Sequence, residues 1–227
     1  MIIFKDTTYL DAEDLTVRHG HVQVKPGQVP VLSFPAAIPV PSAPETTVID
    51  GRGLLVTRAF VCGHHHIYSA LAGGMPAPVA PPQGFADMLS KVWWRLDRSL
   101  DRDSIRASAL ATAMACLRAG TTVVIDHHSS PFAAAGSLQI IADALDEAGL
   151  SHLLCLELSD RDGEKAREEG LAETETYLAA GHAGLVGLHA SFTVGDPLLD
   201  RAVALASRHH TGLHVHVAES GEDQDHC

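Results

Sequence analysis

The sequence is short of paired cysteines, of positive charge and of long apolar runs. Cys62, Cys116, Cys155 and Cys227 are widely scattered, with no Cys-X-X-Cys. That argues against a disulfide framework or a cysteine-built zinc knot, and for free thiols in a reducing compartment. Lys and Arg total 16 against 28 Asp and Glu, a formal net charge of −12. An acidic balance argues against a nucleic-acid partner and for a cytoplasmic protein that handles small molecules. No stretch is long and apolar enough to span a bilayer, and the start Met1-Ile2-Ile3-Phe4-Lys5-Asp6 lacks the basic-then-apolar plan of a signal peptide. No Gly-rich loop follows any candidate strand, so a nucleotide-binding fold has no support. Histidine, by contrast, is abundant, with 15 residues.

Residues 1–53 read as an N-terminal β segment. Ile2–Phe4, Leu15–Val17, His21–Val24 and Val29–Leu32 are candidate strands separated by Asp, Gly and Pro signals. Pro35–Pro44 is a linker or irregular edge, and the segment is too small for a core of its own. Residues 54–227 form a second region, in which strands alternate with helices. Its strands are the run into His64, then Thr121–Ile125, His152–Leu156, Leu185–Leu188 and Gly212–Val217. Gly73–Gly84 is a candidate loop over a site. The helices are predicted over Phe85–Leu96, around Ala107–Ala119 with Asp101 or Asp103 as cap, and over Leu138–Ala148, Glu164–Ala180 and Pro197–His209 with Asp196 as cap. The late strands recur at the length of a β-α unit, so they are expected to be parallel with right-handed crossovers. Five strands make either an open sheet or part of an eight-stranded barrel. Histidines at the ends of the first, second, fourth and fifth strands suit the barrel, where strand ends converge on one axis. A partial barrel would leave two exposed edges, an aggregation hazard.

Two histidine clusters carry the chemistry. In Phe60-Val61-Cys62-Gly63-His64-His65-His66, alternation along a strand points His64 and His66 to one face and His65 to the other. In His214-Val215-His216-Val217-Ala218-Glu219 the same alternation pairs His214 with His216, and Glu219 lies just past the strand end. His64, His66 and His216 offer three neutral nitrogen ligands to one divalent ion, for which zinc is the expected metal and iron the alternative. Glu219 is placed to shuttle protons beside it. His214 reads as a core histidine or a partner of the ligands. Asp126, His127 and His128 face the same region as substrate contacts or as supports of the ligand histidines. Trp93 and Trp94 read as packing residues, and Glu222 and Asp223 as solvated loop carboxylates.

The segments Gly63-His64-His65-His66, Gly120–Asp126, Leu188-His189-Ala190-Ser191-Phe192-Thr193 and His214–Glu219 resemble the ordered motifs of the amidohydrolase superfamily, in its cytosine-deaminase/chlorohydrolase branch. Tyr68–Pro76 and Trp93-Trp94-Arg95-Leu96-Asp97 look closest to the SsnA-type aminohydrolases. The resemblance implies a partial (β/α)8 TIM-type barrel preceded by half of a small β-sandwich. It also implies His64, His66 and His216 as metal ligands, Glu219 as general acid/base, and His189 as the residue that orients substrate. A bridging carboxylated lysine would go with two metals. Here Lys5, Lys25, Lys91 and Lys165 all fall away from strand ends, so a single ion is expected. The implied reaction is hydrolysis of a non-peptide C–N bond, a deamination of a nitrogen heterocycle or amidine-like compound, with self-association into a homo-oligomer allowed. The family's sixth-strand His and eighth-strand Asp have no counterpart in the sequence. The competing expectations are therefore a catalytically incomplete piece of a longer protein and a non-enzymatic metal binder.

Overall fold

In the computed structural model, residues 1–25, 31–34 and 46–226 are described. The expected Val29–Leu32 strand lies partly outside these residues, and the Pro35–Pro44 linker and Cys227 lie wholly outside. The chain forms two compact units, Met1–Ala59 and Phe60–Cys227.

The first unit is one mixed sheet. Its strands are β1 (Ile2–Leu10), β2 (Val17–Lys25), β3 (Val31–Ser33), β4 (Thr47–Asp50) and β5 (Leu55–Val56). The order is β3-β2-β1-β4, with β5 also on β1. β1 is longer than the sequence suggests, because Lys5-Asp6 does not end it. The pairing with β2 shifts register between Phe4 and Thr7, and Asp6 takes φ 52°. This is a bulge that lets the strand continue past a turn-like dipeptide. Ile3, Tyr9 and Val22 are its buried apolar side chains.

The second unit alternates strand and helix. β6 (Phe60–His65) is followed by a 3₁₀ turn over Ile67–Gly74, then by α1 (Phe85–Met88), a π turn at Leu89–Trp93 and α2 (Trp94–Asp97). The single helix expected over Phe85–Leu96 is thus wound in three pieces, and a π turn of this kind often marks a functional site. α3 (Arg102–Arg118), β7 (Thr121–His128), α4 (Ser137–Ala148), β8 (Ser151–Leu158), α5 (Gly163–Ala179), β9 (Val186–Ala190), α6 (Asp196–Arg208), β10 (Leu213–His216) and a short α7 (Gly221–His226) complete it. Asp101 caps α3 through a reciprocal box with Ser104, which stabilises the helix start by satisfying orphan N–H groups. Gly149 ends α4 at φ 75°, a left-handed cap that suits glycine. α6 starts one residue earlier than expected, at Asp196, with Gly195 as its cap.

The five strands lie in the order β10-β9-β8-β7-β6, all parallel. Each strand therefore neighbours the one before it in sequence, and the sheet curls into a half-barrel. β9 is buried at every position, the pattern of a parallel strand covered on both faces. Gly187 permits its close approach to β8: a Cβ there would lie 2.3 Å from the Leu156 carbonyl oxygen. One apolar cluster packs α3 and α4 on β7 and β8 through Ile105, Ala109, Leu138, Ile141, Val124 and Leu154. A second packs α5 and α6 on β9 through Leu171, Leu198, Leu205 and Leu188. The outer strands differ: Phe60 and Val61 on β6 and Val215 on β10 are exposed. No helix among the described residues is long and apolar enough to cross a membrane.

Candidate metal centre and its cavity

The C-terminal ends of β6, β7, β9 and β10 bring the histidines together. His64 Nε2 lies 3.2 Å from His66 Nε2 and 3.2 Å from His216 Nε2, and His66 Nε2 lies 3.1 Å from His216 Nε2. Two nitrogens from the C-terminal end of β6 and a third from 150 residues further along the chain thus form a nearly equilateral triangle.

The protons of these rings can be assigned from their outer partners. His66 Nδ1 meets the His127 carbonyl at 2.7 Å, and His216 Nδ1 meets the His189 carbonyl at 2.8 Å. A carbonyl only accepts, so each Nδ1 carries the hydrogen and, in the neutral ring, Nε2 is a bare lone pair. His64 is held through Nδ1 by His214 Nε2 at 2.7 Å. Burial first, and then His216, depresses His66 to about 4. Burial likewise lowers His64. The result is lone pairs facing one another with no hydrogen between His66 and His216. That arrangement needs a cation at its centre. Tetrahedral zinc with Zn–N of about 2.0–2.1 Å spaces its nitrogens by about 3.4 Å, close to the triangle observed. The donor set therefore fits a divalent ion, and the hydrogen-bonded outer nitrogens are the usual support of such ligands.

His127 joins this group: its ring and those of His64, His66 and His216 each offer a nitrogen within 4.8 Å of the others. Its ring stacks on His216, with centroids 4.7 Å apart and planes at 8°, and on His66 at 5.5 Å and 19°. Both of its nitrogens are buried without a hydrogen-bond partner, and burial drives it well below the ordinary histidine range. Sequence reading gave His127 only a shared, unspecific role. Strand alternation was the available signal, since it separates His127 from Asp126 and His128. Asp126 is wholly buried. It accepts the Ile67 N–H at 2.7 Å and is pushed by burial up to about 8. It fixes the turn that leaves β6 directly after His66. His128 is also buried and bonds Ser130 at 2.9 Å through Nε2, away from the triangle.

Glu219 follows Ala218, whose φ of 57° is rare outside glycine. Asp223 fixes this strained corner: it accepts the Glu219 N–H at 2.9 Å and the Ser191 hydroxyl at 2.6 Å. Asp223 is buried, not the solvated carboxylate the sequence suggests. It ties the loop after β10 to the loop after β9. His189 is buried, and its Nδ1 bonds the Thr193 hydroxyl at 2.5 Å. That hydroxyl gives its own hydrogen to the Ala190 carbonyl at 3.1 Å. His189 Nδ1 is therefore the donor and its Nε2 is an acceptor. Burial, chiefly, lowers His189 to about 3.

His64, His66, His189, His216 and Glu219 all line one cavity of about 400 Å³. Tyr68, Phe85, Trp93 and Trp94 give it aromatic walls. Trp94 stands edge-on to His189 with centroids 6.2 Å apart. The two tryptophans are walls of the cavity as well as packing residues. Asp97 and Glu157 also line it.

Comparisons with known proteins give the family and the fold. The chain is 25% identical over 230 residues to 5'-deoxyadenosine deaminase of Methanococcus vannielii, covering 98% of this chain and 50% of that protein. It is 27% identical over 206 residues to 5-methylthioadenosine/S-adenosylhomocysteine deaminase of Desulforudis audaxviator, covering 88% and 45%. It thus spans about half the length of the curated relatives it matches. Among solved structures, a zinc-bound adenosine deaminase of Xanthomonas campestris shares the fold with a TM-score of 0.76 at 20% identity, over 97% of this chain and 50% of that one. Residues 55–227 match the model of the amidohydrolase family, and the chain belongs to that family.

Proposed function

We propose that the protein acts as a zinc-dependent hydrolase of non-peptide C–N bonds, removing an amino group from a planar nitrogen heterocycle. The observation that carries this reading is the triangle of Nε2 atoms on His64, His66 and His216, bare on His66 and His216, whose outer nitrogens are committed to His214 and to two main-chain carbonyls. The deaminase relatives support the reaction type, and their adenosine-derived substrates support a flat heterocycle.

When bound there, zinc supplies a water molecule acidified to near-neutral pH. The chain's own residues do the rest. Glu219, on the cavity wall, takes the proton from the attacking water and delivers it to the leaving nitrogen. His189, neutral with Nε2 as acceptor, holds a substrate N–H and sets the ring's tilt. Phe85, Trp93 and Trp94 flank the ring and exclude bulk water. The rigid strand ends hold these groups in place, so less ordering remains to be done when substrate arrives. A single ion, a cytoplasmic location and a homo-oligomeric state belong to the same proposal.

The test is to purify the chain, count bound zinc by mass spectrometry, and follow ammonia release from 5'-deoxyadenosine and a panel of aminated heterocycles. One zinc per chain with turnover, both lost in His66→Ala, is the expected result. Tight zinc with no turnover across the panel would leave a metal-binding protein and overturn the hydrolase reading.

A further inference from the structure

Behind the aromatic walls lies a charge cluster to which the reaction above assigns no part. Asp97, at the end of α2, and Glu157, on β8, both line the cavity although their side chains are only 1% and 4% exposed. Arg161 stands behind them. Its Nη2 pairs with Asp97 Oδ2, donates to Ser129 Oγ at 3.0 Å and lies 3.5 Å from Glu157 Oε1. Its Nη1 lies 3.3 Å from Asp162, which also accepts from Arg98 Nε at 2.6 Å. Three carboxyls therefore share two guanidiniums, and two of them, Asp97 and Glu157, line the cavity.

Two acceptors there are left without donors. Asp97 Oδ1 is buried and has no hydrogen-bond partner among the described residues. A buried carboxylate oxygen in that state is costly unless a ligand supplies the donor. His189 Nε2 is the second, because Nδ1 carries the ring's hydrogen. Burial pushes Glu157 up to about 8, against the pull of Arg161.

We infer that the cavity selects flat substrates that present a cationic, amidine-type N–H face, and that Asp97 is the specificity-determining residue that accepts it. The inference rests on the proposed hydrolase reading for its substrate site, and it names the chemistry that site recognises. A protonated amidine or guanidine edge offers a charge-assisted donor for Asp97 Oδ1, while its plane lies between aromatic walls. Neutral lactams offer a donor without the charge, and anionic rings bring further acceptors.

The experiment is calorimetric titration of benzamidinium, benzamide and benzoate into the zinc-loaded protein and into chelator-treated protein. Benzamidinium is expected to bind about tenfold or more tightly than benzamide, the scale of one charge-assisted hydrogen bond, with benzoate weakest. The order should persist without zinc, and Asp97→Asn should bring benzamidinium to the level of benzamide. Benzamide or benzoate matching benzamidinium in the unmodified protein, or no binding of all three, overturns the inference. So does an Asp97→Asn protein that folds, by circular dichroism, and keeps the preference. If that variant does not fold, the ranking in the unmodified chain still decides. Loss of the zinc reading shows separately, as a chain that binds no metal whatever its ligand order.

Discussion

His66 and His216 face each other Nε2 to Nε2 at 3.1 Å, and each has already given its Nδ1 hydrogen to a main-chain carbonyl. Two lone pairs at that distance repel, so the metal-free fold carries an unfavourable contact that an ion converts into two bonds. Zinc is therefore expected to stabilise the chain strongly. At free zinc about 1,000 times its dissociation constant the gain is about 4 kcal/mol, which raises the melting temperature of a domain this size by roughly 8–16 °C. Differential scanning calorimetry with and without chelator measures it. His216→Ala should abolish the shift.

His214 holds His64 by a 2.7 Å nitrogen-to-nitrogen hydrogen bond and so supports that ligand directly. Removing such a support costs about 10–100-fold in metal affinity. His214→Ala should weaken zinc binding by that factor in a chelator competition, while the count at saturation stays at one. Loss of all binding would instead make His214 a ligand.

Much of this was legible from the sequence, because strand alternation and strand ends are local rules. His64 could be paired with His66, and His214 with His216, on one face by counting, and the five strands could be placed by spacing. What could not be read were partners distant along the chain. Asp97 meets Arg161 across 64 residues, and Asp223 meets Ser191 across 32. Nothing in the charge of either local segment marks it as buried. His127 was missed as a member of the metal cluster because Asp126-His127-His128 alternates faces too, and only the sheet's curl decides which face meets the site. The Phe85–Leu96 helix looked continuous because its apolar spacing is helical, whereas the π turn re-aims Trp93 and Trp94 toward the cavity.

The metal-free protein should have a stability maximum slightly below neutral pH. Four buried imidazoles, His66, His127, His128 and His189, have folded-state values below their unfolded ones, chiefly through burial. Their contribution is fully present above about 6.5 and is lost as pH falls below it. Asp126 and Glu157 run the other way. Both are raised to about 8, so their contribution is present in acid and is lost as pH climbs from about 4 through 8. Each net proton tilts stability by about 1.4 kcal/mol per pH unit. Four rings outweigh two carboxyls below pH 6, and the carboxyls prevail above pH 7. Urea melts of chelator-treated protein from pH 4.5 to 8.5 should trace this dome; a monotonic curve would contradict the assignment.

Glu219→Gln should separate chemistry from metal binding. The side chain lines the cavity, and the hydrogen bond to Asp223 comes from its main-chain N–H, not from its carboxylate. The amide keeps the size and removes the proton acceptor. Turnover should fall by about 10²–10⁴, the usual worth of a positioned proton-transfer group, with zinc content unchanged. An equal fall in zinc content would show that the carboxylate serves the ion.

Gly187→Ala tests whether the half-barrel depends on the close approach of β8 and β9. The added Cβ would lie 2.3 Å from the Leu156 carbonyl oxygen and 3.2 Å from Cys155 Sγ. The first of these atoms belongs to the main chain of a buried strand and cannot rotate away. The two strands must separate, which loosens the Glu157–Gly187 and Leu158–Leu188 pairing and shifts His189, two residues on, whose carbonyl orients His216. Overpacking of this kind costs about 1–3 kcal/mol or somewhat more. Urea denaturation should report that loss, and zinc affinity should fall with it, because the same strand carries the carbonyl that fixes the His216 tautomer. A variant with reduced stability and unchanged zinc affinity would mean that the orientation of His216 survives displacement of β9, and that the carbonyl of His189 is not what sets it.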